Sequence, residues 1–254
     1  LIKLKQKKNI IIVGYPKSGT NWLSRLAADL LQCNFLGDWG FETVNVSGIK
    51  TENNVSEFQI YKSHHTFNEL EKASNKKVHK IIYIIRDPRD IVISGAYFFN
   101  FHSSLSSFFR RLRIHTVLRN LSFEKKKKEM IQAVLYGNKK ITPWLEVPWA
   151  LHYKDYHKKE VLFIKYEDLL NNPENELKNI LNYLDLEVNT LQITESIKNQ
   201  SFKKRQKEVH QQDHKNLIKL IRKGSSGYWK NEFTKEEKKL FKLKLKDTNN
   251  LYNF

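Results

Sequence analysis

The sequence predicts an α/β fold of three layers, a central parallel sheet flanked by helices, in a single domain. Three observations carry this. Apolar, β-branched runs at residues 10–15, 80–85 and 161–165 read as buried strands. A helical pattern follows each of them, over about 21–32, 86–101 and 172–184. No Gly/Ser linker and no internal repeat divides the 254 residues, so one domain over 1–254 is expected, with 1–9 and 247–254 as peripheral tails.

The elements follow in order. The strand at 10–15 runs into a Pro/Gly-punctuated loop and then an amphipathic helix. Residues 33–54, rich in Gly, Asn and Ser, read as a long loop or a region of short elements. A short strand is expected at 58–62. The run Arg86-Asp-Pro-Arg-Asp90 ends the strand at 80–85 and opens a helix, with Pro88 in its first turn. Helices are expected at 105–119 and 123–136. Thr142-Pro-Trp144 caps another that continues to about 156. Asn172-Pro-Glu174 starts the helix after the third strong strand, and 201–223 is basic with mixed signals. Thr234 caps the last helix, with Glu237 in the capping-box position.

Composition narrows the function classes. The formal net charge of +18 implies anionic partners, although the lysine runs at 125–128 and 235–246 read as solvated surface. The lone Cys33 excludes an intrachain disulfide, argues against a cysteine zinc site, and suits a reducing, cytoplasmic setting. No apolar run is long enough to span a membrane. The chain starts at Leu1 rather than Met, which leaves room for a signal or anchor upstream.

The first strand leads into Gly14-Tyr-Pro-Lys-Ser-Gly-Thr-Asn-Trp22. Backbone N–H groups at a helix start, with the helix dipole, make an anion site. Gly19 lets the backbone approach a phosphate. Lys17 adds a cation, and Ser18, Thr20 and Asn21 add donors. Gly14 and Gly19 have the spacing of a Walker loop, but Thr20 stands where its lysine belongs. This disfavours an ATPase, GTPase or nucleotide kinase, which is one rival reading.

The segment from Tyr15 to Trp22 resembles the 5′-phosphosulfate loop of the cytosolic-type sulfotransferase family. The resemblance implies a P-loop-NTPase-like sheet. It also implies 3′-phosphoadenosine-5′-phosphosulfate as donor and adenosine 3′,5′-bisphosphate (PAP) as product. By it Lys17, Ser18, Gly19, Thr20 and Asn21 hold the phosphosulfate and Trp22 stacks on adenine. Arg86-Asp-Pro-Arg-Asp-Ile-Val-Ile-Ser94 resembles the family's 3′-phosphate motif and assigns that role to Arg86 and Ser94. An arginine at the carboxyl end of a strand points towards the ligand crevice, and its fork takes two phosphate oxygens.

Arg222, Lys223 and Gly224 begin a stretch to Thr234 that resembles the family's closing segment, with Tyr228 in place of its usual Asp. Tyr166 and the pair Ser201–Phe202 match weaker segments around the adenine. Altogether the resemblance covers about residues 10–234.

Within Tyr61-Lys-Ser-His-His65, carry-over makes His64 the general base, with Ser63 where the family has Thr. A register error of one residue exchanges His64 for His65. Histidine suits the role because its pKa lies near working pH. Lys17 is expected to stabilise the leaving phosphate and Lys62 to assist at the sulfuryl oxygens, and the resemblance implies that Ser94 holds Lys17 aside before an acceptor arrives. No metal-ligand spacing is visible, and none is required.

The acceptor is expected to be a small molecule, a hydroxyl or amine compound; the aromatic-rich segments 35–41, 97–109 and 144–153 are candidate walls, and a core role explains many of their aromatics equally well. The motifs do not discriminate among phenols, alcohols, amines, sugars and lipids. Lys235 and Lys239 replace the Val and Glu of the family's dimer motif, so monomer and homodimer are both compatible. A second rival is a basic nucleic-acid-binding module. It accounts for the charge but not for ordered phosphate motifs, and no specific nucleic-acid partner is expected.

Overall fold

Residues 7–41, 56–101, 121–211, 224–248 and 251–252 are described in the computed structural model of the chain. The chain divides into two compact units, Leu1–Arg86 with His152–Ser225, and Asp87–Leu151 with Ser226–Phe254.

The first unit is built on five parallel strands: β1 (Lys8–Val13), β2 (Asn34–Asp38), β3 (Phe58–Ser63), β4 (Val78–Ile85) and β5 (Leu162–Lys165). Their spatial order is β2-β3-β1-β4-β5. The isoleucines of β1 alternate between two covered faces and are fully buried, which is why an uninterrupted apolar run forms the central strand. Ile10 and Ile12 pack with Leu23, Leu26 and Ala27 of α1 (Thr20–Leu30). Leu177, Ile180 and Leu181 extend this core. Cys33 lies inside it, and burial pushes its thiol up to about 12, with Lys7 opposing only in part.

Short helices complete this unit: α2 (Phe67–Lys72), and others introduced below with their ranges. Within the stretch expected as loop or short elements, residues 34–38 form β2, whose Phe35 is buried while Asn34 and Asp38 remain partly open. Gly37 and Asp38 give it the composition of a turn. The remainder, 42–55, lies outside the described residues. Lys8 and Asn9, expected in a tail, belong to β1, where the Asn9 amide donates to Lys77 O at 2.7 Å.

The second unit contains α3 (Pro88–Phe98) and α4 (Phe123–Tyr136). Pro88 sits at the start of α3, and the Asp87 side chain accepts from Arg89 N. A Cβ at Gly95 would run into the end of the Met130 side chain, which packs from α4 against the bare glycine of α3. The expected helix at 105–119 lies outside the described residues. The expected helix at 142–156 is interrupted. A 3₁₀ turn, Pro143–Leu145, precedes α5 (Trp149–His157), because Pro148 restricts the residue before it.

On the first unit follow α6 (Tyr166–Asn171), α7 (Pro173–Tyr183), α8 (Thr190–Asn199) and α9 (Phe202–Gln211). The second unit ends with α10 (Trp229–Glu232) and α11 (Lys235–Lys244). Thr234 and Glu237 form the expected capping box of α11. Lys127 of α4 is 1% exposed, pairs with Glu124 at 2.9 Å and Glu237 at 3.2 Å, and donates to Glu232 O. Burial disfavours its charge, but the two carboxylates outweigh this and raise its pKa.

Candidate active site

The chain crosses from one side of β1 to the other between β3 and β4, which is where a parallel sheet opens a ligand crevice at its carboxyl edge. Three chain segments leave the sheet there. The loop after β1 turns tightly, with Ser18 N donating to Tyr15 O at 3.0 Å. Lys17 at φ 74° and Gly19 at φ 100° both occupy the left-handed region. Only Gly19 does so freely; a Cβ there would also lie 2.7 Å from the Tyr166 ring. Helix α1 then presents its first N–H groups at Thr20.

His64 leaves the end of β3 and lies against this loop, its Nδ1 2.7 Å from Gly14 O. A carbonyl only accepts, so Nδ1 carries the hydrogen and Nε2 carries the lone pair. Burial, then the Lys62 charge, with a smaller contribution from Lys17, pushes the His64 pKa down to about 3 against the opposing Gly14 contact. The ring is therefore neutral at pH 7. Lys62 is held by Asp38 at 3.0 Å. The His65 ring is 2.8 Å from Ser63 Oγ instead, so the two histidines face different groups.

Arg86 leaves β4 on the other side of the loop. Its guanidinium donates to Lys17 O at 3.1 Å and to Ser225 O at 3.0 Å, and stacks 4.2 Å from the Tyr166 ring centre. Tyr166 meets Trp22 edge to face at 5.7 Å. Trp22 Nε1 donates to Gln200 O, next to Ser201. Phe202 opens α9, and a Cβ on Gly224 would lie 2.3 Å from its ring. The structure thus gathers Lys17, Ser18, Gly19, Thr20, Asn21, Trp22, Lys62, His64, Arg86 and Tyr166 along one edge of the sheet. Ser94 lies in α3 of the other unit. Arg222 and Lys223 lie outside the described residues.

Two buried donors, Ser18 Oγ and Arg86 Nε, have no hydrogen-bond partner among the described residues. Leaving such groups unpaired costs free energy, and an oxyanion supplies the missing acceptors. The donor set therefore fits a phosphate-bearing nucleotide. Among the described residues no cluster of three or more His, Cys, Asp or Glu is placed to hold a metal. A surface hollow of about 260 Å³, lined by Phe67, His79, Lys80 and Tyr183 among others, contains none of these site residues.

The sequence-based acceptor walls fare differently. Phe35 and Trp39 are buried, and Trp39 Nε1 donates to Leu70 O. Residues 102–109 lie outside the described residues. Sequence reasoning missed the Gly14 carbonyl, which fixes the His64 tautomer, because a backbone acceptor leaves no residue-type signal. It also missed Asp90, whose carboxylate accepts from Gly227 N at 2.6 Å and Trp229 N at 3.1 Å. The Asp in Arg86-Asp-Pro-Arg-Asp90 was visible but has no spacing that announces a partner so distant in sequence.

The family model of the sulfotransferase domain matches residues 7–248. The chain belongs to the sulfotransferase family. Its reaction class is accordingly sulfuryl transfer, and the nucleotide-kinase, NTPase and nucleic-acid readings fall away. This sulfotransferase is 27% identical to sulfotransferase 1A1 of Rattus norvegicus over 92% of the chain and 81% of that protein. It is 25% identical to sulfotransferase 2A1 of Homo sapiens over 94% of the chain and 85% of that protein. Among solved structures, it is similar to mouse sulfotransferase SULT7A1 complexed with PAP, with a TM-score of 0.62 and 23% identity over 94% and 85% of the two chains. A retinol dehydratase in a complex with retinol and PAP aligns with a TM-score of 0.59 and 19% identity over 98% and 83%. These two likenesses establish the α/β fold. No helix among the described residues is long and apolar enough to cross a membrane.

Proposed function

We propose that this sulfotransferase moves the sulfuryl group of 3′-phosphoadenosine-5′-phosphosulfate to a hydroxyl or amine of a small acceptor in the cytoplasm. The observation that carries this reading is the placement of His64 and Arg86 against carbonyls of the same loop, Gly14 and Lys17. PAP in two structural neighbours supports the nucleotide.

When bound, the nucleotide supplies a sulfuryl group on a good phosphate leaving group. Lys17 and the N–H groups opening α1 stabilise charge that builds on the leaving oxygen, the kind of effect worth about 3–4 kcal/mol per well-placed donor. Arg86, with Ser94, Arg222, Lys223 and Gly224 as the family resemblance assigns them, grips the 3′-phosphate. Trp22, Tyr166, Ser201 and Phe202 border the adenine. His64 Nε2 takes the acceptor's proton as the acceptor attacks, and Lys62 lies beside it. Part of what depresses the His64 pKa is the charge of Lys62 and Lys17, so an anion that offsets these charges makes His64 a stronger base. No residue is assigned to bind a metal.

The test combines binding and turnover. Calorimetry is expected to show PAP binding far more tightly than ATP. His64→Ala and Lys17→Ala are each expected to lower transfer to 2-naphthol at least about a hundredfold without unfolding the chain. Near-normal transfer by folded His64→Ala removes the base; equal affinity for ATP and PAP removes the donor.

A further inference from the structure

Where β3 ends, the backbone from His64 to Phe67 has left the sheet ladder, and its polar groups need new partners. One face of α5 provides them. His152 Nε2 lies 3.1 Å from His64 O, Tyr156 Oη donates to His65 O at 2.9 Å, and Asp155 Oδ2 accepts from Phe67 N at 2.6 Å. Positions 152, 155 and 156 share a helix face, so a single turn of α5 holds His64, His65 and Phe67.

His152 is 1% exposed and is not part of the machinery described so far. Its hydrogens are determined by its neighbours. His64 O can only accept, so His152 Nε2 donates and Nδ1 accepts from Tyr83 Oη at 2.9 Å. The hydrogen bonds then run in one direction: Tyr83 to His152, His152 to His64 O, and His64 Nδ1 to Gly14 O. The His152 ring also meets the edge of Tyr15 in the phosphate loop at 5.7 Å. Burial keeps the ring uncharged, with the carbonyls and Asp155 opposing in part.

We infer that His152 is a positioning residue. Its Nε2–H anchors the His64 backbone so that the His64 ring keeps one orientation and one tautomer, with Nε2 presented to the acceptor. This rests on His64 being the base, and it adds a residue that touches neither substrate nor nucleotide.

The experiment reads His64 directly through long-range ¹⁵N–¹H correlations of its ring nitrogens, in full-length protein with and without PAP, alongside transfer from the donor to 2-naphthol. His152→Phe keeps a ring and removes the donor. His152→Gln keeps an amide N–H within reach of His64 O. With His152→Phe the His64 Nδ1–H signature is expected to give way to a tautomer mixture. Its kcat should fall about tenfold, as for loss of one well-placed bond, while the Kd for PAP stays within about twofold. His152→Gln should keep the signature and stay within about threefold of wild-type kcat.

A double variant with His64→Ala should be no slower than His64→Ala alone, because both changes act through one ring. Unchanged His64 signals in folded His152→Phe overturn the inference, as does an additive double variant. Should His152→Phe not fold, His152→Asn, whose amide falls short of His64 O, is compared with His152→Gln; identical His64 signals in those two overturn it. A wild-type protein that binds no PAP and transfers nothing defeats the functional reading instead, while the nitrogen signals still decide the role of His152.

Discussion

Arg86 and Arg89 come from one run of five residues, and the structure gives them opposite environments. Arg89 is saturated. Its fork holds the Asp87 carboxylate, with the closest contact at 2.7 Å, and its guanidinium stacks 3.6 Å from Trp229. Arg86 donates to two carbonyls, and its buried Nε has no partner among the described residues. Two cations in one motif therefore divide the work, one completing the scaffold and one holding hydrogen-bonding capacity for a ligand. What distinguishes them is how fully the protein satisfies each fork.

The comparison breaks if the two respond alike to truncation. Arg89→Ala leaves the buried Asp87 carboxylate without its guanidinium and is expected to cost about 3–5 kcal/mol, roughly a 10 °C fall in Tm by calorimetry. Arg86→Ala is expected to leave Tm within a few degrees but weaken PAP about a hundredfold, which is close to 3 kcal/mol, by titration. A Tm loss at Arg86 matching that at Arg89 would place both in the scaffold.

The next effect sharpens the boundary between loop and scaffold. Gly19→Ala forces a side chain into the left-handed region and towards Tyr166, and should weaken PAP about tenfold, read by the same titration. The smallest effect is graded with pH. His64 and His152 are held neutral, with pKa values pushed down to about 3 and about 4. Between pH 6.5 and about 4 the unfolded chain takes up protons that the folded chain refuses, so stability falls as pH falls. The slope is at most roughly 1.4 kcal/mol per pH unit for each imidazole, and thermal melts across this window should flatten in His152→Gln.

Much of this was legible before any coordinates. The β-branched runs form β1, β4 and β5; in β1 and the second half of β4 burial on both faces needs no alternation, while β5 buries only Ile164. The capping box at Thr234 and Glu237 is a local signal and formed as expected. Lys17 and Arg86 stand out because each lies just past a strand, and His64 through the resemblance of Lys62-Ser-His64 to the family motif. Residues 34–38 carry no strand pattern of their own because Gly37 and Asp38 look like a turn; pairing with β3 makes them a strand. His152 and Tyr83 gave no signal, since residues 69 apart in sequence meet only through the fold. Phe35 and Trp39 fit the sequence equally as candidate walls or as core, because composition alone does not separate a core aromatic from a ligand-facing one; both are buried.

Cys33 offers a practical handle. It is the chain's single thiol, it sits among the side chains of the β1–α1 core, and its high pKa keeps it as the unreactive thiol at neutral pH. Brief exposure to an alkylating reagent will therefore label only molecules whose central layer has opened. One mass measurement per time point follows that opening without engineering a reporter, and any slowing on addition of nucleotide converts directly into a binding curve.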